Sequence, residues 1–180
     1  MNKGALSTKD LCMISLWTAV IAVMAQIAIP MPMGVPMTMQ TFAITLAAIV
    51  LGAKRGAIAT SIYVLLGAVG IPVFANFTGG VHIIVGATGG FIISFPIMAY
   101  IIGKGVEYRG GIKGVFIVAI IMGMIINYII GVFVFCLITG SSIMAGITAC
   151  VIPFIPTSVI KGVVGGIIGV KIRDRVVRLV

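Results

Sequence analysis

The sequence predicts an all-α integral membrane protein, a single transmembrane domain over residues 1–180 with six helices and both termini cytoplasmic. Three observations carry that prediction. Of the 180 residues, 61% are hydrophobic and 8% charged, where a soluble domain carries roughly 25% charged residues. That balance excludes an ordinary soluble globule, a disordered tail and a secreted disulfide scaffold. Residues 11–53, 56–103 and 114–160 contain no Lys, Arg, Asp or Glu. Each stretch is close to twice the ~20 apolar residues that one helical crossing needs. The charges between the stretches then fall on one side of the membrane.

The elements follow in order. The first stretch divides at Pro30-Met31-Pro32-Met33-Gly34-Val35-Pro36, because proline cannot continue a helix without losing a hydrogen bond. Its spans are 11–29 and 37–53, and Lys54 and Arg55 follow. The second divides within Gly70–Gly90, which holds Pro72, Gly79, Gly80 and Gly86. Its spans are 56–71 and 84–103, with a kink expected at Pro96. The third divides around Thr139–Ser142 and again at Pro153 and Pro156. Its spans are 114–138 and 154–171. Residues 143–152 are apolar but too short to cross alone. They either lie at the outer surface or form part of a broken helix. Met1–Gln26 has the look of a signal peptide, with Lys3 and Lys9 before an apolar run. Cleavage would leave five spans and upset the charge symmetry, so the stretch is read as the first helix.

Excess Lys and Arg mark the cytoplasmic side. Lys3, Lys9, Lys54, Arg55, Lys104, Arg109, Lys113, Lys171, Arg173, Arg175 and Arg178 all fall on one side of this layout, and Lys161 is the exception. The net charge of +9 is therefore an orientation signal and not a nucleic-acid footprint. The basic clusters also suit the anionic head groups of the bilayer. Asp10, Glu107 and Asp174 all sit at helix ends, so no intramembrane carboxylate is available as a proton relay. The chain has no GxxxxGK[ST] loop for ATP, no HExxH and no CxxC. Cys12, Cys136 and Cys150 form neither a disulfide framework nor a metal spacing. No enzyme, catalytic residue, cofactor or metal is expected.

Several polar residues stand out against this background. Lys161 lies about 10 Å inside the last span, counted by helix rise from Pro153. A lysine at depth costs roughly 2.5–3.5 kcal/mol on insertion scales. It either snorkels to the interface or faces a cavity, where an acidic ligand would supply the missing charge. Ser158 shares its helix face. Thr38 and Gln40 either cap the second span or project inward. Asn76 sits between Phe74 and Phe77, an arrangement that suits a ligand with a polar ring and an apolar body. The other reading is an ordinary turn. Thr88 lies among glycines that permit close backbone approach. Asn127 and Tyr128 lie in the fifth span, where a buried polar group needs a partner. Gln40, Asn76, Thr88 and Lys161 converge on the outer half of the bundle, which favours one outward-opening pocket. On the first span Ser15, Ala19, Ala22, Ala25 and Ala28 form a face of small residues. Such a face either packs inside the bundle or docks another membrane protein.

Several stretches together resemble the BioY family. They are Val35-Pro36-Met37-Thr38-Met39-Gln40-Thr41, Gly67–Ala75 with Thr78-Gly79-Gly80, Gly86-Ala87-Thr88-Gly89-Gly90-Phe91, Tyr128-Ile129-Ile130-Gly131, and Pro153-Phe154-Ile155-Pro156 with Lys161. The resemblance covers nearly the whole chain. It implies the bundle of a substrate-binding (S) component of an energy-coupling factor (ECF) transporter, lodged in the cell membrane and specific for biotin. It further implies a transmembrane coupling protein and two ATPase subunits as partners, with Ser15, Ala19 and Ala22 as the docking face. On this reading Thr38, Gln40, Phe74, Asn76, Phe77, Thr88, Tyr128, Ser158 and Lys161 bind the substrate. One departure stands out. The family pattern at the last helix is Pro-Gly-Asp-x-x-Lys, and here it is Pro156-Thr157-Ser158-Val159-Ile160-Lys161. Ser158 replaces the carboxylate, so Lys161 lacks its usual counterion. Two other readings stay open: a structural membrane subunit without a ligand, and an S component for another acidic vitamin.

Overall fold

The structure, a computed structural model, describes residues 6–31, 34–108 and 114–178. Lys3, Arg109, Lys113 and the Pro32-Met33 part of the first turn lie outside them. Each charge-free stretch folds into helices that leave from and return to one end of the bundle. The helices are α1 (Thr8–Ala25), α2 (Gln40–Leu51), α3 (Ala53–Ala68), the short α4 (Val81–Ile84), α5 (Gly89–Glu107), α6 (Val115–Thr139), α7 (Ile143–Cys150) and α8 (Ile155–Arg178). Strands β1 (Ala28–Ile29) and β2 (Met37–Thr38) pair antiparallel between α1 and α2.

Helix α2 is the axis. Ten of its twelve residues are buried, and it packs against α1, α3, α5 and α8. At 1.5 Å per residue it runs only ~18 Å, well short of a hydrocarbon core ~30 Å thick. Neighbours enclose it, so its own length need not match the bilayer. α1, α5, α6 and the tract Ile143–Val176 are each long and apolar enough to cross a membrane. α3, with 16 residues, is again shorter than a full crossing.

Two helix starts differ from the sequence expectation for definite reasons. The second span begins at Gln40 and not at 37, because Met37 and Thr38 pair with Ile29 and Ala28. The third begins at Ala53, so Lys54 and Arg55 belong to its first turn. Gly52 alone separates α2 from α3, at a φ of +82° that favours glycine. Residues 143–152 take the second of their two expected forms, the first piece of a broken helix. Ser142 caps α7 by accepting from the Ala145 amide at 3.3 Å, and a turn at 152–154 leads into α8. α5 runs unbroken through Pro96.

The charged end is knitted by ions placed on helix termini. Asp10 closes a capping box with Ser7 at the start of α1 and pairs with Arg55 at 3.0 Å. Glu107 accepts from the Ala53 amide at 2.9 Å, an anion at the positive end of α3. Arg173 donates to the carbonyls of Ile49 and Val50 at 2.9 and 3.1 Å, a cation at the negative end of α2.

Candidate binding cavity

At the opposite end of the bundle lies a cavity of about 260 Å³. That is near the lower end of the range for small-molecule sites, roughly 300–1,000 Å³. Eight of the nine predicted site residues line it: Thr38, Gln40, Phe74, Asn76, Thr88, Tyr128, Ser158 and Lys161. They come from β2, α2, the loop after α3, the start of α5, α6 and α8.

Lys161 does not snorkel. It is half-buried, and its Nζ donates to the Thr38 carbonyl at 2.7 Å. An ammonium has three donors, and among the described residues no carboxylate comes within ion-pairing distance of this one. Next to it the Tyr128 and Ser158 hydroxyls share a 2.6 Å hydrogen bond between α6 and α8. Ser158, where the resemblance would place an acid, is tied to a tyrosine and leaves the lysine charge unbalanced.

The start of α2 faces the same space through Gln40 and Thr41. The N-cap residue Met39 makes no side-chain cap and the first turn holds no acid, so the positive end of the helix meets no opposing charge. Thr38 Oγ1 accepts from the Gln40 amide at 3.3 Å and donates to Gln40 Oε1 at 2.8 Å. Gln40 Nε2 in turn donates to the Tyr63 hydroxyl. Both Thr38 and Gln40 are therefore held by a short chain of hydrogen bonds while bordering the cavity. Tyr63 was not singled out in the sequence; a lone tyrosine within an apolar span was the available signal.

The apolar wall is built around Phe74. Its ring is buried and meets Tyr63 edge-on, with centroids 5.6 Å apart. Gly67 is required here, because a Cβ at that position would overlap the Phe74 ring. Phe77 departs from the expectation. It is 72% exposed and outside the cavity lining. Asn76 and Phe77 both adopt positive φ, 56° and 55°, so the chain reverses and sends Phe77 outward. Gln26 is a second residue that the sequence reading missed. Its Nε2 donates to the Val73 carbonyl at 3.3 Å and its Oε1 accepts from the Phe77 amide at 2.8 Å. It thus clamps both flanks of the loop that carries Phe74 and Asn76. Asn127 borders the cavity too, but donates to the Phe91 carbonyl and Ser94 Oγ at 3.0 and 2.7 Å, joining α6 to α5. Along the small-residue face Ser15 and Ala19 are exposed, Ala22 and Ala28 half-buried and Ala25 buried, so the face is open only toward its Ser15 end.

Residues 1–178 match the sequence profile of the BioY family. The chain belongs to the BioY family. A relative described as biotin transporter BioY, from Thermotoga maritima, is 38% identical over 92% of this chain and 96% of its own length. A probable biotin transporter BioY of Pyrococcus horikoshii is 36% identical over 93% and 98%. The fold is shared with a crystal structure of the S-component for biotin from an ECF-type ABC transporter. That match has a TM-score of 0.84 and 24% identity, over 94% of this chain and 95% of the other. BioY membership covers the cavity and the charged end alike, and with them every element described above.

Proposed function

We propose that this chain captures biotin from outside the cell as the S component of an ECF-type importer. The observation that carries the reading is the pairing of Lys161 with the acid-free start of α2 in one cavity. Both are positive, nothing in the described residues neutralises them, and the ligand named for the family's relatives carries a carboxylate. In this arrangement the carboxylate lies between Lys161 and the α2 amides. The ureido ring meets Asn76, Gln40 or the Tyr128–Ser158 pair, and the apolar body rests on Phe74. The same carboxylate argument fits any small acidic vitamin, so competition with other vitamins is part of the test. A structural subunit without a ligand would be a closed bundle with Lys161 at the surface; the cavity and the inward lysine speak against it.

The Lys- and Arg-rich end faces the cytoplasm on this reading, which opens the cavity outward. The exposed Ser15 and Ala19 face then serves a transmembrane coupling protein that works with two ATPase subunits. The decisive experiment titrates the detergent-purified chain with labelled biotin. Saturable one-to-one binding at nanomolar biotin is expected. A folded, monodisperse protein that binds none would leave the family fold without the activity. Ala19→Trp should abolish co-purification with the coupling protein and leave biotin binding intact.

A further inference from the structure

A second cavity, of about 570 Å³, lies between α6 and α8. α8 packs extensively against α2 but only sparsely against α6, and the gap between them is this groove. Phe116, Ile120 and Met124 line one side, and Val159, Val163 and Ile167 the other. The lining is apolar except at its inner end, where Tyr128 and Ser158 border it. Those two residues also border the binding cavity. Their 2.6 Å hydrogen bond is therefore a shared wall between the two spaces.

We propose that this groove holds one acyl chain of an anionic phospholipid. Along a gap between membrane-spanning helices whose only polar side chains, Tyr128 and Ser158, are bonded to each other at one end, water does not find the two to four polar contacts it needs. From Phe116 to Tyr128 the groove follows α6 for ~18 Å. That is close to the ~15 Å hydrocarbon depth of one leaflet. At the charged end, Lys171 follows Ile167 by one helical turn and is exposed, while the nearby Asp174 is already engaged. The acyl chain enters from that end with its phosphate at Lys171, and its tip stops against the Tyr128–Ser158 pair. The lipid then fills the seam that α8 leaves open and backs the wall of the binding cavity.

The test is native mass spectrometry of the full chain in detergent, with phosphatidylglycerol or phosphatidylcholine of identical acyl chains. The wild type should retain one phosphatidylglycerol, with at least fivefold preference over phosphatidylcholine. Val163→Trp fills the groove and should lower retention at least tenfold. Lys171→Gln leaves the groove intact and should erase the headgroup preference; its exposed position keeps it informative if Val163→Trp fails to fold. Phosphatidylglycerol should raise the thermal midpoint of the wild type and not that of Val163→Trp. Retention that ignores the headgroup, or a preference that survives Lys171→Gln, would overturn the proposal. So would a wild type that retains no lipid but loses the groove to a helix of a partner subunit.

Discussion

Helix α2 meets a cation from α8 at each end, and the two meetings have opposite electrostatic sense. At its C-terminal end Arg173 donates to the Ile49 and Val50 carbonyls, where a positive charge opposes the negative pole of the helix. At the other end Lys161 donates to the Thr38 carbonyl, two residues before the helix begins. There the helix pole is itself positive. One cation completes the structure and the other leaves it incomplete. The difference is what would separate a stabilising contact from a candidate binding site: Lys161 and the start of α2 would both gain on arrival of an anion, whereas Arg173 already holds the Ile49 and Val50 carbonyls.

Breaking the Lys161 end should have the largest effect on function. Removing one member of a buried charge pair costs about 3–5 kcal/mol, so Lys161→Ala should weaken biotin binding at least tenfold. Stability without biotin should hold or rise, because a cation leaves the positive pole of a helix. Isothermal titration and thermal melts of the same sample check both halves. Biotin carboxamide sharpens the test: the wild type should discriminate strongly against it, and Lys161→Ala should hardly discriminate at all. Unchanged affinity for biotin in the variant would remove Lys161 from the site.

Arg173→Met should do the reverse. It deletes charge-assisted hydrogen bonds worth about 1.5–3 kcal/mol each and leaves two carbonyls near the end of α2 with less support. For a domain of this size each kcal/mol shifts the melting midpoint by about 2–4 °C, so loss of both bonds implies a fall of roughly 6–24 °C. Biotin affinity, measured below the new midpoint, should stay within about threefold. A large loss of affinity with an unchanged midpoint would mean that the two ends of α2 are not separable.

Much of this contrast was legible in the sequence, and the reasons are physical. A backbone in lipid must satisfy its own hydrogen bonds, so three long charge-free stretches left little besides paired helices. Lys161 was conspicuous because the other lysines and arginines cluster at one side. What escaped was set by tertiary contacts. Lys54 and Arg55 read as a loop between spans, yet Gly52 makes the turn by itself and both sit within α3. Phe77 looked equivalent to Phe74 until two consecutive positive φ values turned it outward. Gln26 read as an ordinary end of the first span, since nothing in its local sequence reveals a partner 47 residues away at Val73.

Gln26 gives the third test, at intermediate size. Its side chain joins the end of α1 to both sides of the Phe74 loop, so it acts on the cavity only by positioning. Gln26→Met removes those bonds and should cost about 1–2 kcal/mol of loop order, taking each bond near 1 kcal/mol. The expected signature is a biotin off-rate several-fold faster, with little change in the melting midpoint. Stopped-flow displacement of bound biotin reads it directly. A lower midpoint with an unchanged off-rate would make Gln26 a general packing residue.

The smallest effect should come from the hydroxyl pair beside Lys161. Ser158 and Tyr128 share a single hydrogen bond, and a neutral bond of this kind is worth about 0.5–1.5 kcal/mol. Ser158→Ala alone should therefore weaken biotin binding only about two- to tenfold, far less than Lys161→Ala. Tyr128→Phe should cost a similar amount. Because both changes break the same bond, the double variant should be little worse than either single one, with a coupling energy close to the whole effect. Additive losses would mean that each hydroxyl contacts biotin independently. A Ser158→Ala loss as large as that of Lys161→Ala would mean that the serine carries the burden the family's aspartate position suggests, and that the lysine is not the sole anchor of the carboxylate.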